Sequence, residues 1–227
     1  MGKKTLILIT SIALAGAIFA GFGKGRGREM MNANQAAVIN SFPHQEISPV
    51  EREALLKMRE EEKLARDVYM TLYNKWGLRI FSNIARSEQR HMDSVKLLID
   101  KYHIDDPVKS DVIGVFSNPE LGKLYRDLTE KGLKSATDAL MVGAIIEDLD
   151  IYDLETLLKK VDNSDIVFVF NNLKRGSENH MRAFTGFLKN YGITYKAQHI
   201  SQERLNEIPS ASHSRGRGRG NRRWKGR

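Results

Sequence analysis

From Ser48 to Lys196 the chain is written almost wholly in helical period, and each of its four long stretches breaks its apolar stripe with an ionisable residue. Residues three and four apart share one helix face. Ser48-Pro49-Val50-Glu51 is a capping box with proline at the first helical position, and the spacing predicts a first helix running to Trp76 and stopped by Gly77. Its stripe reads Leu55, Met58, Glu62, Ala65, Tyr69, Leu72, Trp76, which sets Glu62 among core positions. A second helix is predicted over 82–102, with the stripe Ile84, Glu88, His91, Val95, Leu98, Tyr102. Residues 103–134 form a long connection in which Asn118-Pro119 starts a short helix to about Lys131. Ser135-Ala136-Thr137-Asp138 caps a third long helix, whose stripe is Leu140, Gly143, Glu147, Asp150, Leu154, Leu157. A kink is expected near Asp150, because Asp153 can recap the chain there. Asn163-Ser164 opens the fourth, with the stripe Ile166, Val169, Leu173, Ser177, His180, Phe184, Phe187, Tyr191 and a stop at Gly192. Glu178 lies about 100° round the helix from Ser177, in a flanking position.

Burying one unpaired carboxylate costs several kcal/mol, and burying several together adds repulsion. The four stripes hold two imidazoles but no Lys or Arg. A cation between the acidic groups is the simplest compensation, and oxygen with imidazole suits iron, manganese or zinc. A Glu–His ion-pair network without metal is the other way to satisfy the same residues. The chain has no cysteine, which excludes disulfides, thiolate zinc sites, iron–sulfur clusters and a cysteine nucleophile.

These residues resemble the ferritin-like superfamily, in which two helices give one Glu each and two give Glu-x-x-His. Glu62 and Glu147 are similar to the single glutamates, and Glu88-Gln89-Arg90-His91 to the first Glu-x-x-His. The run Glu62-Lys63-Leu64-Ala65-Arg66-Asp67-Val68-Tyr69 resembles the rubrerythrin branch, with its Glu-x-x-Ala and following Tyr. The chain is most similar to an uncharacterised microbial branch, and the resemblance covers 48–192. It implies an all-α fold: a ferritin-like four-helix bundle over 47–196, with a long crossover between its second and third helices containing a short helix.

The resemblance further implies two metal ions, iron foremost and manganese or zinc as alternatives, held by Glu62, Glu88, His91, Glu147 and His180. The fourth helix departs from the pattern, because Ser177 stands where a Glu is expected. Asp150 can compensate from the third helix, and Glu178 only through a π-bulge, so both are secondary ligand candidates. The implied chemistry is that of an oxidoreductase acting on peroxide, dioxygen or ferrous ion. Tyr69 and Tyr102 are candidates for bonding ligands or carrying an oxidising equivalent, against plain core packing. Without a cysteine-bound redox domain, electrons would come from an external donor, and a homodimer is compatible with the pattern. The alternative is a non-catalytic metal-binding or structural bundle docked on a polyanion.

Charge is concentrated at the ends. Of the formal net charge of +8, residues 1–30 carry +4 (five Lys/Arg, one Glu) and 196–227 carry +7 (nine Lys/Arg, two Glu), leaving −3 for 31–195. The uncharged stretch 5–23 behind Lys3 and Lys4 reads as a cleaved secretory signal or a retained membrane anchor, with a buried helix as a third reading. Either of the first two puts the domain outside the cytoplasm. Residues 24–46 read as a linker. Residues 197–227 read as a disordered Arg/Gly-rich tail, suited to anionic lipid, wall polymer or nucleic acid, or simply solvated.

Overall fold

The computed structural model describes residues 26–208, with side chains from residue 34 onward. Within them the chain is all-helical, with seven helices and no strand. In order these are α1 (Arg26–Ser41), α2 (Pro49–Trp76), α3 (Arg79–Lys101), α4 (Pro119–Gly132), α5 (Ala136–Leu157), α6 (Ser164–Asn190) and α7 (Gln202–Glu207). None is long and apolar enough to cross a membrane. The stretch 5–23 and residues 209–227 of the basic tail lie outside the described residues.

The helix starts follow from their caps. Ser48 Oγ accepts from the Glu51 amide, and the Glu51 carboxylate accepts from the Ser48 amide at 2.9 Å, the reciprocal pairing of a capping box. Asn118 caps α4 by accepting from the Glu120 amide, and Ser135 caps α5 by accepting from the Asp138 amide. Gly77 ends α2 in the left-handed region at φ 65°, which an L side chain rarely adopts. Only Gly77 and Leu78 separate α2 from α3, so α3 begins at Arg79, three residues before the expected start. Helix α5 runs unbroken past Asp150 to Leu157. Asp153 does not recap the chain there: it lies inside the helix and accepts from Lys57 Nζ at 2.7 Å.

Helices α2 with α3, and α5 with α6, make the two most extensive pairings, and the pairs meet through α3 with α6 and α2 with α5. The apolar interior falls into two clusters. One holds Ala65, Tyr69, Leu72, Ile84, Leu140, Ala144, Phe184 and Leu188. The other holds Leu55, Met58, Val95, Leu98, Leu154, Ile166, Val169 and Leu173. Each of the four stripes therefore passes from one cluster to the other, and its ionisable residues lie at the crossing.

Both flanks extend further into the fold than the sequence suggests. Residues 26–41, expected as linker, form α1, where Ile39 is buried and Gln35 Nε2 donates to Ser94 Oγ at 3.0 Å. Residues 197–208, expected as tail, pack back on α5. The buried Asp148 carboxylate accepts from the Tyr195 hydroxyl at 2.7 Å and from the amides of Gln198, His199 and Ile200.

The face of α2 away from the stripe is charged and still largely buried. Arg59, Glu60, Lys63, Arg66 and Asp67 lie on it and hold the crossover between α3 and α4. Arg59 forks onto Asp106, and Glu60 Oε1 accepts from the amides of Ser117 and Asn118. Lys63 Nζ bonds Asp67 Oδ2 at 2.5 Å and the Val112 carbonyl at 3.0 Å. Arg66 bonds Asp67 Oδ1 and exposed Asp111. Removing Asp67 strands two cations in the interior. We expect Asp67→Ala to cost about 3–5 kcal/mol of stability. Asp111→Ala, at an 83% exposed side chain, should cost no more than about 1 kcal/mol. Equilibrium denaturant unfolding of the two variants would separate these values.

Candidate metal centre

Four helices deliver the polar residues of the stripes to one place. Glu62 comes from α2, Glu88 and His91 from α3, Glu147 and Asp150 from α5, and Ser177 and His180 from α6. Glu62, Glu88 and Glu147 are completely buried. Two triads result, Glu62–Glu88–His91 and Glu88–Glu147–His180, each with its ligand-type atoms within 4.8 Å of one another. Glu88 belongs to both. His91 Nδ1 lies 2.7 Å from Glu88 Oε2, and His180 Nδ1 lies 2.8 Å from Glu88 Oε1 and 3.4 Å from Glu147 Oε2. The two imidazoles face each other with centroids 5.7 Å apart.

These short approaches are mostly not hydrogen bonds. His91 Nδ1 does bond Glu62 Oε2, at 3.2 Å. Glu62 Oε1, both Glu88 oxygens, Glu147 Oε2 and His180 Nδ1 are buried with no hydrogen-bond partner, five of the seven such side-chain atoms among the described residues. Buried polar atoms are almost always bonded, and each exception needs a reason. Here the lone pairs converge on shared points between the helices instead of aligning donor to acceptor. A divalent cation at such a point would satisfy several of them at once, and the donor set of carboxylates with imidazole suits iron, manganese or zinc.

The remaining expected residues divide. The Tyr69 hydroxyl donates to Glu147 Oε1 at 2.5 Å and so reaches the site. Asp150 is buried beside it, with its Oδ2 3.2 Å from Ser177 Oγ. Glu178 does not reach it. Helix α6 is regular through this turn, without a π-bulge, and Glu178 pairs outward with Arg204 Nη2. Tyr102 is also elsewhere, donating to Asp165 at 2.8 Å within the other apolar cluster. Two neighbours of the site escape the helical stripes. Glu61, next to Glu62, is buried enough that one oxygen has no partner. Gly176 leaves room for a ring: a Cβ there would lie 2.6 Å from both Cε1 and Nε2 of His91. A glycine beside Ser177 in the helix that lacks its Glu was the available signal.

Without a cation the site holds protons. Burial pushes the Glu62 carboxyl up to about 7, with His91 opposing and Glu88 adding. Burial raises Glu147 as well, and burial with the charges of Glu62, Glu147 and Glu88 raises Asp150 well above the usual range. For Glu88 burial also disfavours the charge, but His180 and His91 outweigh it and hold this carboxyl low. Burial disfavours charged imidazoles too, yet Glu88 and Glu147 lift His180 to about 10. Burial, then the Glu147 charge, puts the Tyr69 phenol well above its ordinary value.

These directions fix a pH dependence. A group whose folded pKa exceeds its unfolded one stabilises fully below the unfolded value, and that contribution is lost as pH rises through the folded value. For His180 the window runs from 6.5 to about 10. For Glu62 it runs from 4.5 to about 7, with the same sign. The melting temperature of metal-free protein should therefore fall steadily as pH rises from 6 to 10, and His180→Ala should flatten the upper part of that slope. Gly176→Ala should push the His91 ring off its carboxylates and, if the site takes an ion, weaken its binding about 10–100-fold. Gly186→Ala in the same helix meets nothing within 4 Å and should bind metal like the native chain, as metal titrations of both variants would show.

Residues 51–212 match the family model described as an uncharacterized protein domain, DUF2202. The chain is 62% identical over 181 residues to the uncharacterized protein MJ0754 of Methanocaldococcus jannaschii, covering 80% of this chain and 98% of that relative. It is also similar to the crystal structure of the hypothetical protein MJ0754 from Methanococcus jannaschii, with a TM-score of 0.74 at 63% identity over 76% of this chain and 98% of that one. The match to the family model spans well over half of the sequence: the chain belongs to the DUF2202 family.

Proposed function

We propose that α2, α3, α5 and α6 form a ferritin-like four-helix bundle whose centre holds two metal ions, iron foremost, for oxidoreductase chemistry on peroxide, dioxygen or ferrous ion. The observation that carries this reading is the convergence of five buried, unpartnered carboxylate and imidazole atoms from all four of those helices. Glu62, Glu88 and His91 would hold one ion, and Glu88, Glu147 and His180 the other, with Glu88 shared between them. Two ferrous ions held there would supply two electrons to an oxidant such as peroxide, each becoming ferric.

The chain's own residues prepare the site. Tyr69 fixes Glu147 through its hydroxyl, so Glu147 presents its other oxygen to the centre. Ser177 turns toward Asp150, and this places a fourth carboxylate on the side where the fourth helix lacks one. The apolar clusters on both sides limit water at the centre. Because the chain has no cysteine, a separate molecule must return the electrons. An extracytoplasmic setting and a polyanion contact through the tail complete the reading, carried by residues 5–23 and 212–227.

The test is metal content per chain by elemental analysis, on protein purified aerobically without chelator, beside His91→Ala. We expect about two iron or manganese ions per chain, falling to about one in the variant. A single ion in the native chain would mark the position next to Ser177 as defective. No ion, even after anaerobic ferrous loading, would refute the reading. Peroxide consumption with ferrous-loaded protein is then the activity to measure, and it should be lost in Glu88→Ala.

A further inference from the structure

A cavity of about 110 Å³ lies beside the centre, among α2, α4, α5 and the segment before α7. Its wall is mainly leucine and isoleucine, including Leu64, Leu124 and Leu149. Two carboxylates line it, Glu61 from α2 and Asp150 from α5, and the exposed His199 stands at its edge. The volume is several times the roughly 15 Å³ that one water needs, so a partly hydrated ion fits.

Glu61 is the anomaly. Its Oε2 is buried without any hydrogen-bond partner, beside a cavity whose wall is apolar except for Asp150 and His199. Lys57 reaches its other oxygen only at 3.6 Å, because Lys57 Nζ is held at 2.7 Å by Asp153. A buried carboxylate oxygen without a hydrogen-bond partner is costly, and a long ion pair on the other oxygen offsets only part of that cost. Asp150 links the cavity to the centre. It lines the cavity, it is fixed by Ser177, and it lies within electrostatic reach of Glu61 on one side and of Glu62, Glu88 and Glu147 on the other.

We propose that Glu61 and Asp150 form a staging site for a divalent cation, through which the buried centre is filled from solvent between α2, α4 and α5. This rests on the metal-centre reading above. The cavity supplies passage, and the two carboxylates replace part of the ion's water shell before it meets the central glutamates. Oxygen ligands suit hard divalent ions with several waters retained. Glu61 is thus a residue of uptake and not a ligand of the finished centre.

The experiment mixes metal-free full-length protein with ferrous ion under argon and quenches at intervals into a chromogenic ferrous chelator. The variants are Glu61→Gln, which keeps size and removes charge, and Leu124→Trp, which narrows the half-buried wall without touching a carboxylate. Both should reach the native final stoichiometry, with uptake slowed by about tenfold or more, the scale of electrostatic focusing in a charged cleft. Native uptake should slow with added salt, and Glu61→Gln should lose much of that dependence. Native-rate uptake in both variants would overturn the staging site while leaving the centre intact. A lowered final stoichiometry in Glu61→Gln would also overturn it, by making Glu61 a ligand of the centre. A native chain that takes up no ion would overturn the metal-centre reading, and the staging site with it.

Discussion

Everything at the middle of this protein depends on Glu88. Its two oxygens lie at 2.7 and 2.8 Å from imidazoles on two different helices, and neither approach is a proper hydrogen bond. Two positive rings can share one carboxylate only while they stay protonated or while something else brings positive charge. The surrounding Glu62, Glu147 and Asp150 then outnumber the imidazoles. Such an acid excess, set between apolar clusters, has to be met by protons on the carboxyls or by a cation from outside. The helices themselves need no such help, since their caps and apolar stripes suffice.

Much of this was legible in the sequence, for a definite reason. A helix writes its buried face at fixed spacing, so Glu62, Glu88, His91, Glu147 and His180 are visible as interruptions of that face, and the structure brings all five together. Positions off the face carry no such mark. Glu61 sits in the run Glu60-Glu61-Glu62 and reads as a solvated flank, yet α4 covers it. Lys63, Arg66 and Asp67 are buried by a crossover whose path no local pattern specifies. Tyr102 lies on the right stripe but too far along it, since a stripe defines a face and not a depth. Glu178 failed by angle: one residue of rotation turned it to Arg204.

The two faces of α2 divide the work. Its inner face gives Glu62 and Tyr69 to the centre, while its outer face grips the crossover through Arg59, Glu60, Lys63, Arg66 and Asp67. Fixing the crossover matters to the centre because it delivers α4, and Trp76 Nε1 donates to the Gly132 carbonyl at 2.9 Å to lock the ends of α2 and α4 together. Helix α4 in turn closes the cavity wall next to Glu61. Buried ion pairs of this kind add little net stability over apolar packing, but they specify one path for a long connection.

Asp148 is the peptide neighbour of Glu147, about 100° further round α5. It anchors the chain at Tyr195, Gln198, His199 and Ile200, close to the point where the basic tail leaves the described fold. Neighbouring residues of α5 thus serve two unlike tasks, one facing the buried centre and the other holding the returning chain, so a substitution that disturbs the anchor acts one peptide unit from a central carboxylate.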